Sequence, residues 1–505
     1  MEFKKYDWRV NLDKNRLKND NEYDVIIVGS GIGGLSCGAL LAVKGYKVLI
    51  LEQAKNIGGY CAGFTRNGFV FNVGVEDVSS LWIDNGTLGY LLKMTGLKKE
   101  NLFIKNESRQ YIANGKSIEM SATSGNIITI LSNMFPKEKE NIKRFFTDAK
   151  NGYEQIFSNN DGYGIPLPVE LLIKLFGIKK IIAFRKEKPD FFKWVNKNFT
   201  QKLKEYFKNE DLIGFITSLS HYIDTPPEKT PGETAIIACL SYFIYGGGYL
   251  PINGGKNFTD GLKKVIEKNN GEVLVNHKVD KILTKDGVVR GVTVNDISFS
   301  SPIVVSNANA VTTFFNLVGE DKFDKKFIKF IKSLKFSTSA FVAYIGLDID
   351  LKKYPAIIGT KDEKFGLVIS SNVDPSRSQN GKACVTIFEK SKYSDFPDRG
   401  TIEYEEKKKE CLNKLLDKVE KIIPSFREHI IVQDTATPKT FERYTSMPQG
   451  ALYSFDHSTG TKRPKFKTPI KGLYLASASS GYGGGIESVV ITGILCCHDI
   501  NNWER

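Results

Sequence analysis

A chain of 505 residues exceeds what one hydrophobic core usually holds, and 41% hydrophobic with 25% charged residues excludes a disordered or fibrous protein. The net charge of +14 fits lysine-rich solvated faces, and the sharper partner it allows is an anionic membrane surface. Nucleic acid is not expected, for want of zinc spacing, an aromatic RNA motif or a long basic helix; scattered cysteines without a C-x-x-C pair argue for a reducing compartment.

Residues 1–22 read as a polar extension without the apolar core of a signal peptide, and no run of about 20 uncharged apolar residues follows. A cytoplasmic protein, or one attached to a membrane from one side, is expected. Asp24-Val25-Ile26-Ile27-Val28 suits a buried parallel strand, residues 35–44 a tightly packed helix closed by Gly45, and residues 47–51 a second strand ending at Glu52.

Between the first strand and the helix, Gly29-Ser30-Gly31-Ile32-Gly33-Gly34 fits G-x-G-x-x-G. Gly29 permits a tight turn, Gly31 leaves room for a pyrophosphate, and Gly34 lets helix and strand pack closely. The helix N-terminus then offers N–H groups to the phosphates. Glu52, with Gln53 beside it, stands near the ~20-residue spacing at which a carboxylate accepts from ribose hydroxyls. NAD and FAD both satisfy this pattern. The second glycine step, Ile57-Gly58-Gly59-Tyr60-Cys61, favours an extended FAD, and residues 68–74 supply an apolar strand to run beside it. The five histidines lie far apart, so no metal site is expected.

Strand signals return at 272–275, 288–294, 302–306 and 472–476, the last before a glycine cluster and a final helix. The expected organisation is three FAD-binding blocks, 23–115, 246–330 and 461–505, separated by substrate insertions at 116–245 and 331–460. The fold class is α/β: a Rossmann-type, three-layer ββα domain with an inserted α+β substrate domain. In the first insertion, residues 166–197 interleave Leu171, Ile173, Phe176, Ile178, Ile182 and Trp194 with lysines, as a face lying on an anionic bilayer does; packing on its own domain is the plainer reading. His221, Tyr222 and Asp224 form a polar cluster that either faces substrate or is loop structure.

Residues 24–74, Gly246-Gly247-Gly248-Tyr249-Leu250-Pro251-Ile252-Asn253-Gly254-Gly255, Asp434-Thr435-Ala436-Thr437-Pro438 with Arg443-Tyr444-Thr445, and Leu473-Tyr474-Leu475-Ala476-Ser477-Ala478 with Gly483-Gly484-Gly485 resemble the motifs of the phytoene desaturase, carotenoid isomerase and retinol saturase family. The resemblance covers the nucleotide blocks well and the insertions poorly. It implies main-chain hydrogen bonds from Val279 to adenine, a strand end near the cofactor at Asn307, and a closing flavin motif at Ser477, Gly484, Gly485 and Ile486. The chain departs from the family at Ala478, where an acidic residue is common, at Tyr60, where arginine is common, and at Glu487, where small or apolar residues are usual. Near a helix N-terminus the dipole favours the Glu487 carboxylate, whereas burial against the ring raises its pKa and suits a proton donor or acceptor; capping is the plainer role.

The resemblance implies flavin chemistry on an apolar polyene or isoprenoid: desaturation, saturation or cis–trans isomerisation, with a quinone or oxygen as acceptor in the oxidative case. Two other readings stay open. One is an amine oxidase-like enzyme acting on a soluble amine, and the other is a flavin-stabilised lipid-binding protein without turnover.

Overall fold

Val25–Val28 is short, β-branched and fully buried, as a strand covered on both faces must be. In the computed structural model, which describes residues 21–502 other than 75, 121–125, 158–162, 164 and 219–224, it is the centre of a five-stranded parallel sheet. The order is Leu473–Leu475, Val304–Ser306, Val25–Val28, Val48–Leu51, Glu272–Leu274. Residues far apart in the chain thus become neighbours around one strand.

Alternation along these strands builds two cores. Val25, Ile27, Val48, Ile50 and Val305 face helices Ile32–Val43, Gly255–Lys268 and Ile486–Ile500. Ile26, Val28, Leu49, Leu51 and Val304 face an antiparallel sheet of Lys281–Lys285, Val288–Val294 and Ile297–Ser300. The result is the three-layer ββα arrangement. Asp286 and Gly287 both take positive φ (52° and 71°), the requirement of a two-residue hairpin whose twist matches its strands. Helix Ile32–Val43 ends with Gly45 at φ 89°, Gly45 N–H donating to Ala42 and Tyr46 N–H to Leu41 at 3.1 Å, a Schellman stop.

A second sheet of seven strands runs Ile430–Ala436, Ser339–Leu347, Ala383–Ser391, Phe365–Ile369, Ile357–Thr360, Arg109–Ala113, Lys116–Met120. Arg109–Ala113 lies inside the segment read as the first nucleotide block, yet pairs in parallel with Ile357–Thr360 in this sheet. Phe341, Ala343 and Ile345 face helix Ile402–Glu420, while Ala340, Val342 and Tyr344 face Phe69, Phe71 and Phe441 beside the glycine-rich half. Among the described residues, no helix is long and apolar enough to cross a membrane.

The stretch 166–197 divides between an exposed part and a part packed on its own domain. Val169–Phe176 and Ile178–Glu187 form a helical hairpin about Gly177 (φ 77°), leaving Ile173, Ile178 and Ile182 exposed at 42%, 67% and 62%. Lys174, Lys179, Arg185 and Lys186 are exposed around them. Trp194 is fully buried against Phe145, because Gly152 leaves room for its indole and Gly232 for its main-chain carbonyl. The outward face therefore stops near residue 187.

Candidate functional site

The glycine turn is dictated by what stands behind it. Gly29 has φ 93°, a conformation disfavoured for any residue with a Cβ. A Cβ on Gly34 would lie 2.4 Å from the Gly29 carbonyl oxygen, so strand and helix meet at glycine-only distance. A Cβ on Gly33 would lie 2.4 Å from the Ala476 carbonyl oxygen. Gly31 differs from expectation: the space its missing Cβ leaves is taken by the Asn307 side-chain oxygen, which would sit 2.4 Å away. Asn307 is in turn fixed by its own N–H donating to Val28 and its Nδ2 donating to Ala476 at 2.6 Å. The turn from strand 25–28, the end of strand 304–306 and the end of strand 473–475 thus lock together.

Glu52 ends the second strand with its side chain turned back on this turn. Its Oε2 accepts from Ser30 N–H at 2.9 Å and from Ser30 Oγ at 2.6 Å, and its Oε1 accepts from Ala54 N–H at 2.8 Å. Gly58, at φ 111°, donates to the Ser30 carbonyl and bridges Gly31, so the second glycine step lies directly against the first. Tyr60 follows, its hydroxyl placed to donate to the Gly450 or Ala451 carbonyl at 3.2 Å.

These elements enclose a cavity of about 610 Å³, within the size range of small-molecule sites. Gly29, Gly31, Ile32, Glu52, Gln53, Gly58, Gly59, Tyr60, Val279, Asn307, Ser477, Gly485 and Ile486 line it. Ser30, Gly33, Gly34 and Gly484 stand behind the wall: Ser30 bonds Glu52, the two glycines serve close packing, and Gly484 is held against Tyr453. Glu487 is buried one residue past the lining. Ala478 lines the cavity where the family commonly has an acid. The cluster at His221, Tyr222 and Asp224 lies outside the described residues.

Two groups were not anticipated. The segment from Glu442 to Tyr453 supplies much of one wall, including Thr445, Met447 and Leu452. His457 braces the closing turn: its Nε2 accepts from Gly484 N–H at 3.2 Å, and a Cβ on Gly483 would lie 2.6 Å from its ring. Burial, reinforced by Arg463, pushes the imidazole down to about 4, so it is neutral and able to accept. Scattered histidines suggest nothing in sequence, since His457 and Gly484 meet only in the fold.

The residues present fit an FAD. Helices Ile32–Val43 and Ile486–Ile500 begin at Gly31 and Gly485, both on the cavity, and no side chain caps either, so their N–H groups stay available to an anion. The N–H and C=O of Val279 have no backbone partner among the described residues, as an adenine-binding main chain requires. Fold and site together define a dinucleotide-binding flavoprotein.

The family model of flavin-containing amine oxidoreductases matches residues 32–501. The chain belongs to that family, and FAD is its cofactor. It is 28% identical to prolycopene isomerase 1 of an Oncidium hybrid, over 97% of this chain and 85% of that one. It is 26% identical to the all-trans-retinol 13,14-reductase of Danio rerio, over 95% and 86% of the two chains. Among solved structures it is similar to an oxidoreductase from Methanosarcina mazei, with a TM-score of 0.66 at 18% identity, covering 94% of this chain and 99% of that one. Flavin oxidoreductase chemistry on this fold is therefore the coarse activity.

Proposed function

We propose that this flavoenzyme acts on an apolar polyene or related isoprenoid, by saturation, desaturation or cis–trans isomerisation, and takes it from an anionic membrane surface. The observation that carries this reading is the match along nearly the whole chain to relatives named for a carotenoid and a retinoid. FAD, when bound, supplies two-electron exchange with a conjugated system, and a quinone or oxygen would serve as acceptor in the oxidative case.

The chain's own residues bind and orient. Ile32 and its neighbouring backbone amides, with Gly485 and Ile486, would face the pyrophosphate, and Glu52 with Gln53 the ribose. Val279 would hold adenine, and Gly58, Gly59, Tyr60 and Ser477 would flank the flavin half. The delivery route is supported by the hairpin at 169–187, which is anchored beside the closing turn. Tyr482 donates to the Pro166 carbonyl at 2.7 Å, and Leu167, Leu171 and Phe176 join the core of the nucleotide half.

The test is incubation of FAD-loaded protein, oxidised and dithionite-reduced, with a panel of carotenes and retinoids, read by mass and retention time. A gain or loss of two hydrogens identifies redox chemistry, and a retention shift at constant mass identifies isomerisation. No product in either state rejects the proposal.

A further inference from the structure

We propose that Glu487 is an internal proton store for the reaction, holding a proton beside the cavity and refilling it through Ser79 and Tyr242. The inference deepens the polyene reading, on which it rests for the proton's destination.

A glutamate in the first turn of a helix ordinarily reaches back to cap its N–H groups. Glu487 does not. Its Oε2 accepts from Ser79 Oγ at 2.7 Å, across the junction with another part of the chain, and the helix start is left uncapped. Its Oε1 is buried with no hydrogen-bond partner among the described residues, and no cation pairs with it there. An ionised carboxylate so placed lacks solvation, so burial favours the protonated form. The carboxyl is accordingly pushed up to about 7, with Ser79 and Ser80 pulling the other way. Gly485 and Ile486, the two residues before Glu487, line the cavity.

The groups facing the carboxyl come from three elements. Ser79 and Ser80 lie on one loop, Tyr153 on helix Lys139–Phe157, and Tyr242 on helix Ser241–Ile244. Tyr242 lies beside Ser79, close enough for the two hydroxyls to interact, which continues the line of hydroxyls leading from the carboxyl. The far end is charged but balanced: Arg109 lies 5.2 Å over the Tyr242 ring and pairs with Asp77 at 2.7 Å. Trp82 packs edge-on against Tyr242 and stacks on Tyr245.

In the reducing direction, the proton would leave Glu487 for one carbon of a conjugated double bond, the neighbouring carbon taking the hydride that a bound, reduced FAD would supply. The carboxylate then takes the Ser79 proton, and Tyr242 replaces that proton from solvent. In the oxidising direction each transfer would run backwards, with the carboxylate taking the proton and the hydride going to the oxidised FAD that the site would hold.

Infrared difference spectra of FAD-loaded protein across neutral pH read the store without turnover. Wild type should show a protonated-carboxyl band that fades as the pH passes about 7, and Glu487→Gln should lack it. Ser79→Ala removes a donor that favours the carboxylate, so the band should persist to higher pH. A band retained in Glu487→Gln, or a midpoint unmoved in Ser79→Ala, overturns the proposal. With all-trans-retinol and dithionite-reduced protein, Glu487→Gln should slow turnover by about 100-fold or more at unchanged FAD absorbance. Turnover at the wild-type rate also overturns it, even with retinol established as a substrate. A Ser79-dependent band in a wild type that converts no polyene supports the store and rejects the polyene reading instead.

Discussion

The cavity wall and the hairpin at 169–187 put small and apolar residues to opposite uses. In the wall, glycines are fixed by atoms that would lie 2.4 Å from an added Cβ, so shape is set by what cannot be added. In the hairpin, isoleucines stand 42–67% exposed beside Lys174, Lys179, Arg185 and Lys186, so the surface is set by what is left uncovered. Tyr482 and Pro166 join the two regions. Substitutions should accordingly be severe for stability in the first and silent for stability in the second.

Gly34→Ala should have the largest effect. Its methyl would meet the Gly29 carbonyl, a backbone atom that moves only if strand and helix separate. Overpacking of this kind costs about 3 kcal/mol, and the turn would open. Calorimetry should show a large fall in Tm, and the protein should purify without flavin absorbance. A stable, yellow Gly34→Ala protein would break the comparison at its stronger end.

Glu52→Ala should come next. It leaves Ser30 N–H, Ser30 Oγ and Ala54 N–H without their acceptor, a loss of about 1–3 kcal/mol. FAD affinity, measured by fluorescence titration, should fall further than stability, because Glu52 also faces the cavity.

Acid should act through buried groups at the closing turn and on the last helix. Burial holds His457 and His498 down to about 4 from an ordinary 6.5, so the unfolded chain takes up more protons between those values. Their contribution to stability is therefore present above about 6.5 and is lost as the pH falls toward 4. Glu487 has the reverse sign. Raised from 4.5 to about 7, it binds its proton more tightly when folded, so its contribution is present below 4.5 and is lost as the pH rises through about 7. Glu487→Gln should steepen the loss of Tm on acidification, and His457→Gln should flatten it.

What was legible in the sequence follows from the range of the contacts involved. The strand, glycine turn, helix and Glu52 lie within one unit, and spacing alone brings them together. The distant strands at 288–294, 304–306 and 473–475 were legible through their own β-branched runs and turn residues. The bonds from Ser79 to Glu487 and from Gly484 to His457 were not, because no local pattern encodes which loops meet. Trp194 and Ile178 look alike in an amphipathic stretch. Only the helix Lys139–Phe157, with Gly152 leaving room for an indole, decides that one is core and the other surface.

The smallest effect on stability, and the sharpest test of the contrast, is expected from Ile173→Ser, Ile178→Ser and Ile182→Ser combined. Each side chain is substantially exposed, so each change should stay within about 0.5 kcal/mol and leave Tm and FAD content near wild type. The exposed cations Lys174, Lys179, Arg185 and Lys186 remain, each contributing about 1 kcal/mol near an anionic surface. Binding to phosphatidylglycerol-containing vesicles should therefore become weak and strongly salt-sensitive rather than vanish. Reversing the cations while keeping the isoleucines should abolish the preference for anionic over neutral vesicles. Wild-type protein that floats with neither kind of vesicle would mean that the uncovered face does not meet a bilayer, and the delivery route would have to be sought elsewhere on the molecule.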